Sequence, residues 1–294
     1  MKTPLCSTVA LALAATLHLA PTAEGTPMPL QTQALEFPQA SPKALVRDRF
    51  GLTTVEIEYA RPGVKGRKIF GGLVPFGEVW RTGANSATKI SFDTDVTFGD
   101  AKVAAGSYAL FTIPGEREWT VILNRATEQW GSYAYDESQD VARVTARPVT
   151  LAEPVESLTL GLAELRDSSA QLTIAWERTH VAVPLRADLV ALLVPKIEAA
   201  MAADGQKPYL SAAMFYYEHD LDLSKALAWI EAAEAERPDA VWIVYRKGLI
   251  LDKAGDTAGA LAAARRAAEL AATVGGELGA EYSRLSAALV AKLE

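Results

Sequence analysis

Between Glu58 and Glu78 the chain carries no acidic residue, while Arg61, Lys65, Arg67 and Lys68 cluster around Pro62-Gly63 and Gly66. The segment reads YARPGVKGRKIFGGLVPFGEVWRTGAN. A guanidinium group presents a planar fork that suits a carboxylate, a phosphate or a sugar hydroxyl. Phe70, Phe76 and Trp80 add flat apolar surface, and Arg81 and Asn85 add directed polar groups, a mixture that suits a small-ligand site. If residues 79–82 are extended, Trp80 and Arg81 point to opposite faces. The segment is then expected to form one wall of a pocket, with Arg81 and Asn85 facing its interior and Trp80 packed beneath them. The candidate ligand-binding residues are Tyr59, Arg61, Lys65, Arg67, Trp80, Arg81 and Asn85. The competing reading is architectural: a long connection packs its aromatics on a sheet and leaves its basic residues in water or paired with Glu56, Glu58 and Glu78. A second aromatic segment, Gln129–Tyr135, either lines the same cleft or plugs the core.

Other chemistries find less support. Beyond the leader-like first residues the only histidines are His180 and His219, and Cys6 is the only cysteine, so no metal site and no thiol chemistry is expected. The DLDLS run around Asp220 and Asp222 lacks the twelve-residue loop, glycine and terminal glutamate of a calcium hand. There is no G-x-S-x-G elbow, no G-x-G-x-x-G turn and no phosphate-cradling G-x-x-x-x-G-K-[ST] loop, so neither a serine nucleophile nor a nucleotide cofactor is predicted. With 29 basic and 36 acidic residues the net charge is −7, which disfavours nucleic acid as a partner.

The surrounding elements follow from hydrophobic period. Residues 1–23 have the charged, apolar and small-residue order of a secretory signal, which predicts export to the periplasm or beyond; Cys6 would leave with that leader. No later stretch is apolar enough for a membrane span. Residues 24–40 mix Pro, Gln, Thr and Ala without a period and are expected to be a linker. From Thr53 the pattern alternates, with Val55, Ile57 and Tyr59 against Glu56 and Glu58. Similar runs follow as TKISFDTDVTF, SYALFTI, WTVILN, ARVTARPV, SLTLGLAEL, AQLTIAWE and THVAVPL. Pro114-Gly115 and Asp167-Ser168-Ser169 supply turns. Residues 41–187 are therefore expected to be an antiparallel β-sandwich or barrel-like domain.

At Asp188, a plausible N-cap, the pattern becomes helical, with Pro195 expected to kink or break the first helix. Ala226 and Ala233 recur as Ala260 and Ala267, a shift of 34 residues. That is the tetratricopeptide period, so residues 188–294 are expected to be a two-repeat, tetratricopeptide-like helical tail with an extra helix.

The strings YxRPGVKGRxI and GxVWRTGAN, together with GSYALFTIPGEREWTVILN and EQWGSYAYD, resemble domain of unknown function family 2911, found in exported bacterial proteins. The resemblance covers about residues 41–185. It implies no reaction, but it makes the matching residues candidates for the family's unknown role: Tyr59, Arg61, Pro62, Gly63, Lys65, Gly66, Arg67, Trp80, Arg81, Gly83 and Asn85.

The expectation is thus an exported binding protein, its β domain holding a small polar or anionic ligand and its tail contacting a protein. Two rivals stand beside it. One is a hydrolase or lyase acting on an exported carbohydrate or peptide, with Arg81 and Asn85 stabilising negative charge and Glu78 as base. The other is a structural envelope protein without a ligand.

Overall fold

The structure, a computed structural model, describes residues 37–294. The leader and most of the linker lie outside the described residues. Ten strands come first: β1 (Lys43–Phe50), β2 (Thr53–Ala60), β3 (Thr88–Phe92), β4 (Val96–Phe98), β5 (Ala101–Val103), β6 (Gly106–Ile113), β7 (Trp119–Asn124), β8 (Asp140–Ala146), β9 (Val149–Ala163) and β10 (Ser169–Arg186). Six helices follow: α1 (Leu189–Ala202), α2 (Tyr209–Glu218), α3 (Leu223–Glu236), α4 (Val241–Lys253), α5 (Thr257–Val274) and α6 (Gly276–Leu293). The chain is therefore α+β with its strands and helices segregated.

The strands form a six-stranded antiparallel sheet in the order β1-β2-β3-β6-β7-β8 and a four-stranded one in the order β5-β4-β10-β9. The two sheets share one buried core and do not close into a barrel. Alternation explains the core: Val55, Ile57 and Tyr59 of β2, Ile90 and Phe92 of β3, and Trp119, Val121 and Leu123 of β7 all face it. Leu158 and Leu160 of β9 and Leu172, Ile174 and Trp176 of β10 meet them from the other sheet. The run TKISFDTDVTF is split between the sheets, β3 in one and β4 in the other, with the bend at Asp93-Thr94-Asp95. AQLTIAWE and THVAVPL, read separately in sequence, are one continuous strand, β10. It carries register shifts around Glu177, whose φ of 53° marks a bulge.

The connection between β2 and β3 holds the two sheets together. Gly63 pairs with Ser157 of β9, and Trp80 pairs with Thr112 of β6, its N–H donating to Thr112 O at 2.7 Å and its carbonyl accepting from Thr112 N at 2.9 Å. Ile69, Phe70, Val74 and Trp80 of this connection are buried in the core. The Trp80 ring stacks on Trp176 at 5.8 Å and meets Phe70 and Trp119 edge-on at 5.9 and 6.4 Å.

In the tail, Asp188, Asp222 and Asp256 each cap a helix, accepting from Ala191, from Ser224 and Lys225, and from Gly259. These caps recur every 34 residues. Ala226, Ala233, Ala260 and Ala267 are all buried, which lets neighbouring helices approach closely. The cap spacing therefore reaches one unit earlier than the alanine spacing, to α1. Helix α1 runs through Pro195 without ending there, so the expected break does not occur. No helix among the described residues is long and apolar enough to cross a membrane.

Trp80→Ala should lower stability by about 3 to 5 kcal/mol, because the cavity would open between both sheets and the connection at once. Guanidinium denaturation followed by tryptophan fluorescence measures the loss.

Candidate functional site

The outer face of the six-stranded sheet is built by the same alternation that fills the core. With Val55, Ile57 and Tyr59 turned inward, Glu56 and Glu58 turn outward. Register then aligns Leu45, Glu58, Lys89 and Ala109 in one row across β1, β2, β3 and β6. Over this row lies a groove of about 880 Å³. Its floor and near side include Lys43, Leu45, Glu58 and Lys89, and its far side includes Asn85, Ser86, Glu128, Gln129 and Trp130.

The far wall is a docked segment. Ala87 N donates to Gln129 O at 2.9 Å, Gly131 N donates to Asn85 O at 2.9 Å, and Ser86 forms a bridge with Trp130. Asn85 has a φ of 63°, a conformation that asparagine tolerates better than most residues. At Gly83 a β-carbon would sit 2.9 Å from Thr88 Oγ1, so only glycine lets the chain pass this close to β3 on its way to Asn85.

The other end of the segment is anchored by a polar cluster. Asn124 Nδ2 donates to Asp140 Oδ1 at 2.7 Å and to Asp136 O at 2.9 Å, Tyr135 Oη donates to Asp140 Oδ2 at 2.6 Å, and Arg143 Nη1 donates to the same oxygen at 2.7 Å. The Tyr135 ring packs edge-on against Phe111 at 5.2 Å, beside a small outer-face core of Ala87, Ala109 and Ile122.

Charge across the groove is balanced. Lys89 Nζ lies 2.7 Å from Glu128 Oε1. That hydrogen bond, outweighing partial desolvation and helped by the charges of Glu128 and Glu58, holds the ammonium above its ordinary pKa. The same hydrogen bond holds the Glu128 carboxylate below the usual range. Trp130, by contrast, leaves 67% of its surface in water, the largest exposure of any tryptophan among the described residues. Gln129 is buried; its Nε2 donates to Ala126 O at 2.8 Å, and its Oε1 has no partner within the protein.

Residues 41–185 match the model of a family described as a protein of unknown function, DUF2911. The β domain belongs to this family. No curated protein and no solved structure matches the chain. The DUF2911 motif is dispersed by folding. Asn85 lines the groove, and Tyr59 borders it while its ring is buried in the core. Tyr59 Oη accepts from Leu160 N at 3.1 Å and from Arg61 Nε at 3.2 Å, and the Arg61 guanidinium lies 5.4 Å from the ring centre. Arg67 donates to Val64 O and Gly63 O, closing its own turn, and Lys65 is held through its backbone N–H on Glu156. Neither lines the groove. Trp80 is in the core. Arg81 is not on the groove wall either, and its Nε is buried without a partner.

Sequence reading did not single out Lys43, Glu58, Lys89 or Glu128. The signal for Glu58 was the strand alternation itself, which assigned it to the polar face. In the segment Gln129–Tyr135, Trp130 lines the groove and Tyr135 packs against Phe111 on the outer face of the sheet, outside the core between the sheets.

Burial, then the hydrogen bond to Asp140, pushes the Tyr135 hydroxyl well above the ordinary tyrosine value. The folded state holds this proton more tightly than the unfolded chain. The resulting stability is complete below about pH 10 and is lost as pH rises further. Tyr135→Phe should therefore flatten the decline in stability above about pH 10, measured by denaturation at stepped pH.

Proposed function

We propose that the DUF2911 domain is a binding module that takes a small, polar ligand without net charge in its outer-face groove. The observation that carries this reading is Trp130, a largely exposed indole on the wall of a groove that mixes polar side chains such as Glu58, Lys89 and Asn85 with Leu45 and several alanines. A ring of that size held in water by a braced segment is a natural contact surface. The ligand anticipated from the basic motif was polar or anionic. The groove supports the polar alternative better, because Lys89 is already paired with Glu128 and the arginines of the motif lie elsewhere.

The hydrolase or lyase reading required Arg81, Asn85 and Glu78 around one ligand. Only Asn85 lines the groove, so that arrangement gains no support. For the tail we propose contact with a protein partner. A hollow of about 370 Å³ on α2, α4 and α6, lined in part by Met214, Glu218, Trp242, Arg246 and Tyr282, supports it. Arg246 Nη1 donates to Tyr282 Oη at 3.0 Å there. Export is part of the same proposal and rests on the leader-like residues 1–23.

A thermal-shift screen of neutral and charged small polar molecules tests the groove. A selective ligand at about a hundredfold its Kd should add about 2.7 kcal/mol to apparent stability. Trp130→Ala should reduce that shift to about 1.4 kcal/mol or less at the same ligand concentration, while changing unliganded stability by no more than about 0.5 kcal/mol, as expected at an exposed position. A shift undiminished by this substitution would place the ligand elsewhere.

A further inference from the structure

We infer that the occupant of the groove is a neutral saccharide, an inference that rests on the groove being a ligand site. Two features of the wall converge on this class. The first is the platform. Trp130 is 67% exposed, and the segment carrying it is tied to residues 85–87 by backbone hydrogen bonds, so the backbone that presents the ring is already positioned before anything binds. A pyranose ring offers an apolar C–H face to such a surface and keeps its hydroxyl rim free, and an indole is suited to contacts with one apolar and one wet side.

The second feature is the pattern of charge. Glu58 and Glu128 face Lys43 and Lys89 around the same groove. These two carboxylates and two ammonium groups leave no net field to draw in an ion of either sign. They do offer acceptors and donors side by side, which suits neighbouring hydroxyls that donate through one oxygen and accept through the next.

The test applies the full chain to an array of neutral hexose and N-acetylhexosamine oligomers, acidic oligosaccharides and short peptides. Calorimetry then follows with the strongest neutral oligomer. We expect the neutral oligomers to bind in preference to the acidic ones. Trp130→Ala should weaken binding about tenfold or more, and Trp130→Phe should retain most of it. Circular dichroism and the thermal midpoint of each unliganded variant separate these losses from misfolding. If only peptides or anions bind, and Trp130→Ala removes that binding, the saccharide assignment is overturned while the groove stands as a site. Saccharide binding indifferent to Trp130→Ala also overturns it. If no probe of any class binds in a Trp130-dependent way, the binding function of the groove falls with it.

Discussion

The packing of Trp80 is the constraint on which the rest of the β domain depends. Its ring is clamped between Trp176, Phe70 and Trp119, its Nε1 donates to Gly83 O at 3.1 Å, and its backbone pairs with Thr112. One residue thereby joins the four-stranded sheet, the six-stranded sheet and the connection between β2 and β3. Hydrophobic burial of a cluster this large outweighs the entropy of ordering a connection rich in glycine. Because Trp80 is fixed, Gly83 is held against β3 and Asn85 arrives beside Gln129 and Trp130. The groove wall is thus a consequence of core packing at a distance.

This dependence recasts the basic motif. A cluster of Arg61, Lys65, Arg67 and Lys68 invites an anion-binding reading, because sequence shows charge without showing what it meets. In the folded chain the carbonyls of residues 63 and 64 occupy Arg67, the Tyr59 hydroxyl and ring engage Arg61, and Glu156 accepts from the Lys65 backbone. Much of the polar surface at the groove comes instead from strands: Glu58 and Lys89 face each other because two-residue alternation and register place them so.

The helical tail follows a simpler rule. Aspartate caps at Asp188, Asp222 and Asp256 set where three of the helices begin, and small buried alanines set how closely they cross. Both signals are local or strictly periodic. Ion pairs such as Arg265 with Glu294 and Lys225 with Glu198 then decorate the contacts, at exposures where each contributes little to stability.

What the sequence determined by itself is what short-range chemistry determines. Alternation in TTVEIEYA, the turns at Pro114-Gly115 and Asp167-Ser168-Ser169, the alanine period and the Asp188 cap are all readable from neighbours along the chain, and they specify strands, hairpins and helices. The burial of Trp80 was legible too, because a tryptophan next to an arginine has one apolar side to satisfy, although the extended stretch stops short of Thr82, whose φ is 53°. The tertiary structure alone decided which sheet each strand joined, that β3 and β4 part company, and that two apolar runs merge into β10 across a bulge. It also decided the site. Trp130 and Glu58 are far apart in sequence, and their meeting at one groove depends on strand order and on a segment docked by backbone hydrogen bonds. Arg81 shows the same limit from the other side: alternation predicted that it would turn away from Trp80, but not what lies on that other side. Local patterns constrain a residue's direction relative to its own backbone, whereas a binding surface is defined by which distant backbones pack beside it.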